Sequence, residues 1–178
     1  MGSQGWTPLR FLAACALVAV MAPVAASAGT STGTLSVSAN ITQNCTVSAA
    51  SVGFGSYDPI VANSTTALNA TGSLAFTCTK GASSVYVTAN TGSNTATCTA
   101  GTTTRAMVTG TTCLYYELYT DTNRTVVWNT TNSGGHTFAP TFASSTSASA
   151  TVYAQIPAGQ TSAIPGSYTD SVTMTINF

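Results

Sequence analysis

The sequence predicts an all-β domain, an antiparallel sandwich of short strands. Apolar residues recur with a period of two in segment after segment. Those segments are separated by turns rich in Gly, Asn, Ser and Pro. No stretch sustains helical periodicity.

The first residues stand apart from that pattern. Residues 1–10 are a polar lead with one positive charge, followed by the apolar run 11–22, then Pro23 and the small residues Ala25-Ala26-Ser27-Ala28. This is the order of a secretory signal peptide, with cleavage expected after Ala28. The run is short for a membrane span, which needs about 20 residues. Leu12-Ala13-Ala14-Cys15 has the look of a lipoprotein box. Only four residues separate Arg10 from Cys15, however, and the apolar run continues past it. Cys15 is therefore assigned to the discarded peptide.

The mature chain, residues 29–178, has about 150 residues and fits one domain. After a loose Gly/Ser/Thr lead, Leu35, Val37, Ala39 and Ile41 alternate with Ser36, Ser38 and Asn40. Leu74, Phe76 and Cys78 alternate with Ala75 and Thr77, and Val85, Val87 and Ala89 repeat the pattern. Residues 114–119 are a dense apolar and aromatic run, and residues 124–128 are rich in β-branched side chains. They flank Thr120-Asp121-Thr122-Asn123, which reads as a hairpin turn. Residues 150–156 form a further strand, stopped by Pro157-Ala158-Gly159. The last strand places Val172, Met174, Ile176 and Phe178 on one face, with Phe178 as a core candidate.

The strand at 35–41 raises a question of docking. Burying Leu35, Val37 and Ile41 contributes roughly 5–8 kcal/mol gross, at about 1.5–3 per side chain. That rivals the net stability of a small domain, about 5–15 kcal/mol. The strand either completes its own sandwich, as sequential strands commonly do, or fills a groove in another copy by strand addition. Which of the two holds decides whether the protein stands alone.

Charge is scarce. The mature chain carries Lys80, Arg105 and Arg124 against Asp58, Glu117, Asp121 and Asp170, a net charge of −1. That leaves no basic footprint for nucleic acid or anionic lipid. So little charge also does little to keep copies apart. Four cysteines remain after the signal peptide, Cys45, Cys78, Cys98 and Cys113, and an even count in an exported chain argues for disulfides. Zinc is the alternative, but there is no C-x-x-C pair and His136 is the sole histidine. Three pairings are open. The sequential one, Cys45–Cys78 with Cys98–Cys113, is favoured, each bond contributing on the order of 3–4 kcal/mol.

No catalytic or cofactor-binding set emerges, and no enzyme is expected. His136 sits in a polar loop, and no G-x-S-x-G signature accompanies the many serines. Asp58, Asp121 and Asp170 lack EF-hand spacing and read as turn aspartates. The aromatics Tyr115, Tyr116, Tyr119, Trp128 and Tyr153 could stack on a sugar, which would make the chain a self-contained binding module. Core packing and cross-strand pairing explain them more simply. The N-x-T triplets, such as Asn63-Ser64-Thr65 and Asn123-Arg124-Thr125, are expected by chance in so Thr- and Asn-rich a chain.

Several blocks recur in a telling order: Thr32-Gly33-Thr34-Leu35-Ser36-Val37, Asn44-Cys45-Thr46-Val47, Phe54-Gly55-Ser56-Tyr57-Asp58-Pro59 and Phe76-Thr77-Cys78-Thr79-Lys80-Gly81. Arg105-Ala106-Met107 and Leu114 to Asp121 with Trp128 follow. The most specific come last, Thr151 to Gln160 and Gly166-Ser167-Tyr168-Thr169-Asp170-Ser171-Val172. Together they resemble the spore coat protein U family, whose members include archaic chaperone–usher pilins. Asn129 after Trp128 stands where many relatives have Gly. The resemblance implies an immunoglobulin-like sandwich lacking its final strand, residues 44–178, preceded by a donor segment, residues 29–43. It implies other copies or sister pilins, a periplasmic chaperone and an outer-membrane usher as partners, with membrane contact only through the usher. Leu35, Val37, Ala39 and Ile41 would form the donor face, beside an acceptor groove at Val172, Met174, Ile176 and Phe178. The likeness also supports Cys45–Cys78, and it implies a surface fibre serving adhesion, biofilm or a protective coat.

Overall fold

A computed structural model describes residues 27–49, 51–98, 105–131, 139–143 and 146–178. Nearly all of the expected signal peptide, including Cys15, and the loop with His136 lie outside them. The chain divides into two units, Met1–Ala39 and Asn40–Phe178. In the first, residues 27–39 form no regular secondary structure, and Leu35 and Val37 are 88% and 86% exposed. The strand expected at 35–41 therefore has no ladder. Its alternation marks a capacity to pair, and a strand exists only where its N–H and C=O groups find partners.

Among its described residues the second unit has seven strands: β1 (Cys45–Ala49), β2 (Leu68–Cys78), β3 (Tyr86–Ala89), β4 (Arg105–Thr109), β5 (Thr112–Tyr119), β6 (Ser147–Ile156) and β7 (Met174–Asn177). Five form one sheet in the order β1-β2-β6-β5-β4, and β3 pairs with β7 in a second. Every pairing is antiparallel. The long β2–β6 ladder runs from Leu68↔Ile156 to Thr77↔Ser147. Along both strands inward Leu74, Phe76, Val152, Ala154 and Ile156 alternate with outward Ser and Thr, the pattern of a half-buried sheet. β4 and β5 form a hairpin closed by Gly110-Thr111.

Between the sheets lie Phe76, Val87, Trp128, Phe142 and Ile156, all fully buried. The Trp128 indole N–H donates to the Val87 carbonyl at 2.9 Å, satisfying the one polar atom of the largest core residue. Arg105 is 1% exposed and pairs with buried Glu117. Its other donors reach the carbonyls of Asn90 (2.9 Å), Ala89 (3.3 Å) and Trp128 (2.7 Å). The guanidinium thus joins β4 and β5 to the end of β3, a polar tie from one sheet to the other.

The architecture is an immunoglobulin-like antiparallel sandwich that lacks a closing strand. Among the described residues β1 pairs only with β2 and β7 only with β3. β1 and β7 approach within 8 Å Cα to Cα, yet no ladder joins them. Two disulfides staple the unit. Cys45–Cys78 fastens the first residue of β1 to the last of β2, and Cys98–Cys113 fastens the segment after β3 to β5.

Two local expectations need correction, and two strands went unread. Residues 124–128 do not form a strand: the return from β5 is a single bridge, Tyr119↔Val127. The Asp121 carboxylate takes the N–H groups of Thr125 and Val126 (3.0 and 2.7 Å) and Arg124 adopts a positive φ of 56°, which draws the start of the segment into the turn, while Val126 and Trp128 still bond back to Thr120 and Leu118 (3.0 and 2.8 Å). Phe178 is 54% exposed and lies past the end of β7, so it is not core. β1 and β4 are strands where alternation gave no signal.

Candidate functional site: an apolar groove in the sandwich

The missing strand leaves a groove whose floor is the inner face of the large sheet. Leu74 of β2, Leu118 of β5 and Val152 of β6 line a cleft of about 300 Å³. Each is at most 5% exposed. Val172 and Met174 of the C-terminal segment form one wall, and Val52 and Phe54 of the segment after β1 form the other. The cleft continues past Val52, Phe54, Met107 and Tyr168 into a wider one of about 780 Å³, bounded by Leu114, Ile156 and residues 163–168. An interior packed to normal density leaves no such gap, because lining atoms lose contacts on the open side.

The first lip, residues 51–59, is irregular chain with fixed side chains. Val52 packs over Gly72, where a Cβ would come 2.6 Å from Val52 Cγ2. Glycine is what permits that approach. Phe54 meets Tyr116 edge-on, with ring centroids 6.0 Å apart. The Tyr57 hydroxyl donates to the Pro157 carbonyl at 2.8 Å and accepts from the Gln160 N–H at 3.1 Å. Beyond it, the Asp58 carboxylate accepts the N–H groups of Ile60 and Val61. Those bonds, Val61 first, hold its pKa below the ordinary carboxylate value.

The second lip, residues 163–173, runs beside β4 through a two-way backbone bridge between Thr169 and Val108 (3.0 and 3.2 Å). The Asp170 carboxylate gathers donors from three segments: Ser93 N–H and O–H at 2.9 Å, Asn94 amide at 2.9 Å, Ser171 N–H at 2.8 Å and Tyr116 O–H at 2.7 Å. Gly92 (φ +88°) makes room, since a Cβ there would lie 2.1 Å from Asp170 Oδ2. Burial, and after it the carboxylate it donates to, push the Tyr116 phenol well above its ordinary pKa.

The structure brings some expected residues together and leaves others apart. Val172 and Met174 line the groove, Ile176 packs against the core beside it, and Phe178 lies outside. Leu35, Val37 and Ile41 are exposed by 82% or more, and Ala39 is exposed too. The root of that segment is fastened. Gln43 and Ser83 exchange two hydrogen bonds (3.1 and 3.2 Å), the Asn44 N–H donates to the Thr79 hydroxyl oxygen while the Thr79 N–H donates to the Asn44 carbonyl, and Cys45–Cys78 follows. Periodicity missed the floor's breadth and both lips. The Phe54–Pro59 and Gly166–Val172 blocks were the available signal for the lips. No group of three or more His, Cys, Asp or Glu suited to a metal occurs among the described residues.

The sandwich thus carries a groove beside the place where a closing strand would run. Residues 31–175 match the Spore Coat Protein U domain family, and the chain belongs to that family. It is 33% identical over 181 residues to Protein U of Myxococcus xanthus, covering 97% of each chain. It also resembles a chain of the CsuC–CsuE chaperone–tip adhesion subunit pre-assembly complex from the archaic chaperone–usher Csu pili of Acinetobacter baumannii. The TM-score is 0.52 at 20% identity, over 78% of this chain and 40% of that one. At that identity the likeness is one of fold.

Proposed function

We propose that this protein is a structural subunit of an exported surface fibre that polymerises by donating residues 35–41 into the groove of the next copy. One pairing of features carries the reading. Leu35, Val37 and Ile41 present large apolar side chains to water, while Leu74, Leu118 and Val152 floor a groove one strand short. Period-two side chains on an extended segment suit such a groove, and the ladder bonds would come from β7's unpaired edge. In this reading residues 29–43 are the donor segment and 44–178 the acceptor domain. Before assembly a periplasmic chaperone lends the strand, and an outer-membrane usher exchanges it. The fibre supports adhesion, biofilm or a coat, and the subunit performs no catalysis.

The test is a denaturing gel of the exported protein, run without boiling, comparing wild type with Val37→Asp/Ile41→Asp. A ladder of multiples that collapses to monomer in the variant supports strand donation. A wild-type chain that stays folded as a monomer at every concentration without a chaperone overturns it in favour of a self-contained binding module.

A further inference from the structure

The groove poses a mechanical problem that its lips answer. An empty apolar cleft gains by closing, at roughly 25 cal/mol per Å² of apolar surface removed from water. Neither lip is regular structure, so no ladder along its whole length resists that closure. What fixes each lip is a polar tie to the turn after β6 or to β4 and β5, made by side chains that themselves line the clefts, Tyr57 the wider one and Asp170 with Tyr116 the narrower. Tyr57 fastens the first lip to Pro157 and Gln160. Behind it, Asn63 accepts the Gly159 N–H through its carbonyl at 2.8 Å. Asp170 fastens the second lip to Ser93, Asn94 and Tyr116, and the Asn94 amide also reaches the carbonyls of Ala106 and Thr169 at 3.0 Å.

We propose that Tyr57 and Asp170 are positioning residues that hold the two lips apart, so that the groove is formed before a strand arrives. This rests on the reading of the groove as a strand acceptor. Each residue acts by raising the fraction of subunits whose groove is open, and apparent affinity scales with that fraction. The signature is kinetic: removing a tie slows association, because fewer subunits are competent, and leaves dissociation from the filled groove unchanged.

The test uses the full exported chain carrying Val37→Asp/Ile41→Asp, which cannot donate but keeps its groove. A labelled synthetic peptide of residues 29–43 is the probe. Tyr57→Phe removes one hydroxyl at constant shape, and Asp170→Asn removes the charge. Both are compared with the parent well below their thermal midpoints, with circular dichroism to verify folding. Tyr57→Phe keeps the measurement decisive even where Asp170→Asn fails to fold. The expected result is an association rate about 3- to 10-fold lower with an unchanged dissociation rate, the scale of one net hydrogen bond. Unchanged association, or a loss confined to dissociation, overturns the positioning role and leaves the acceptor reading intact. No peptide binding by the parent overturns both.

Discussion

Glu117→Ala removes the partner of a guanidinium that is 1% exposed. Arg105 keeps its bonds to the carbonyls of Asn90, Ala89 and Trp128, but its charge is then uncompensated at the junction of the two sheets. The Leu118 N–H, which donates to Glu117 at 3.0 Å, loses its acceptor as well. Breaking one side of a buried pair costs about 3–5 kcal/mol. At about 2–4 °C per kcal/mol for a domain of this size, the thermal midpoint should fall by about 6–20 °C. Replacing both partners, as Arg105→Met/Glu117→Leu, leaves no buried charge but strips the donors from the carbonyls of Asn90, Ala89 and Trp128, so it should recover only part of the loss. Urea and thermal unfolding with the disulfides intact measure both variants. A single-variant loss below about 1 kcal/mol would refute the assignment of Arg105 and Glu117 as a buried pair at the cross-sheet tie.

Three further outcomes follow from the same contacts. The raised Tyr116 pKa means that the folded state keeps the phenol protonated where the unfolded chain ionises. Its contribution is therefore complete below about pH 10 and is lost as pH rises beyond it, by up to about 1.4 kcal/mol per pH unit. Urea titrations against pH should show that alkaline slope reduced in Tyr116→Phe. Gly72→Ala brings a Cβ to 2.6 Å from Val52 Cγ2 and should cost about 1–3 kcal/mol, with Val52→Ala as a second-site rescue in thermal melts. Replacing Cys98 and Cys113 by serine opens a loop with a sequence separation of 15. A loss of about 3 kcal/mol in urea is expected, with the Cys45–Cys78 bond retained.

Much of the sandwich was legible because its long strands have one wet face. In β2 and β6 outward Ser and Thr punctuate inward Leu, Phe, Val and Ile, so the period of two appears in the letters. β1 was hidden because five residues, CTVSA, offer too short an alternation to read. β4 was hidden because its first inward residue is Arg105, and a charged side chain is seldom fully buried without a partner. That partner, Glu117, sits on a neighbouring strand at a separation sequence patterns do not encode. The lips resist reading for a related reason. Tyr57 and Asp170 act through contacts with residues 160 and 116, and nothing local to either marks the partner. The segment 35–41 was the reverse case, legible as a strand yet unpaired here. Its alternation describes a pairing that, on the proposed function, forms only with another copy.

Strand donation itself is tested most directly by a photo-crosslinking residue at position 37 in fibres grown from mixed isotopically light and heavy chains. Light–heavy cross-linked pairs are expected by mass spectrometry, with attachment at Leu74, Leu118, Val152 or Met174 of the second chain. Cross-links confined to the same chain, or attachment outside the groove, would contradict strand donation.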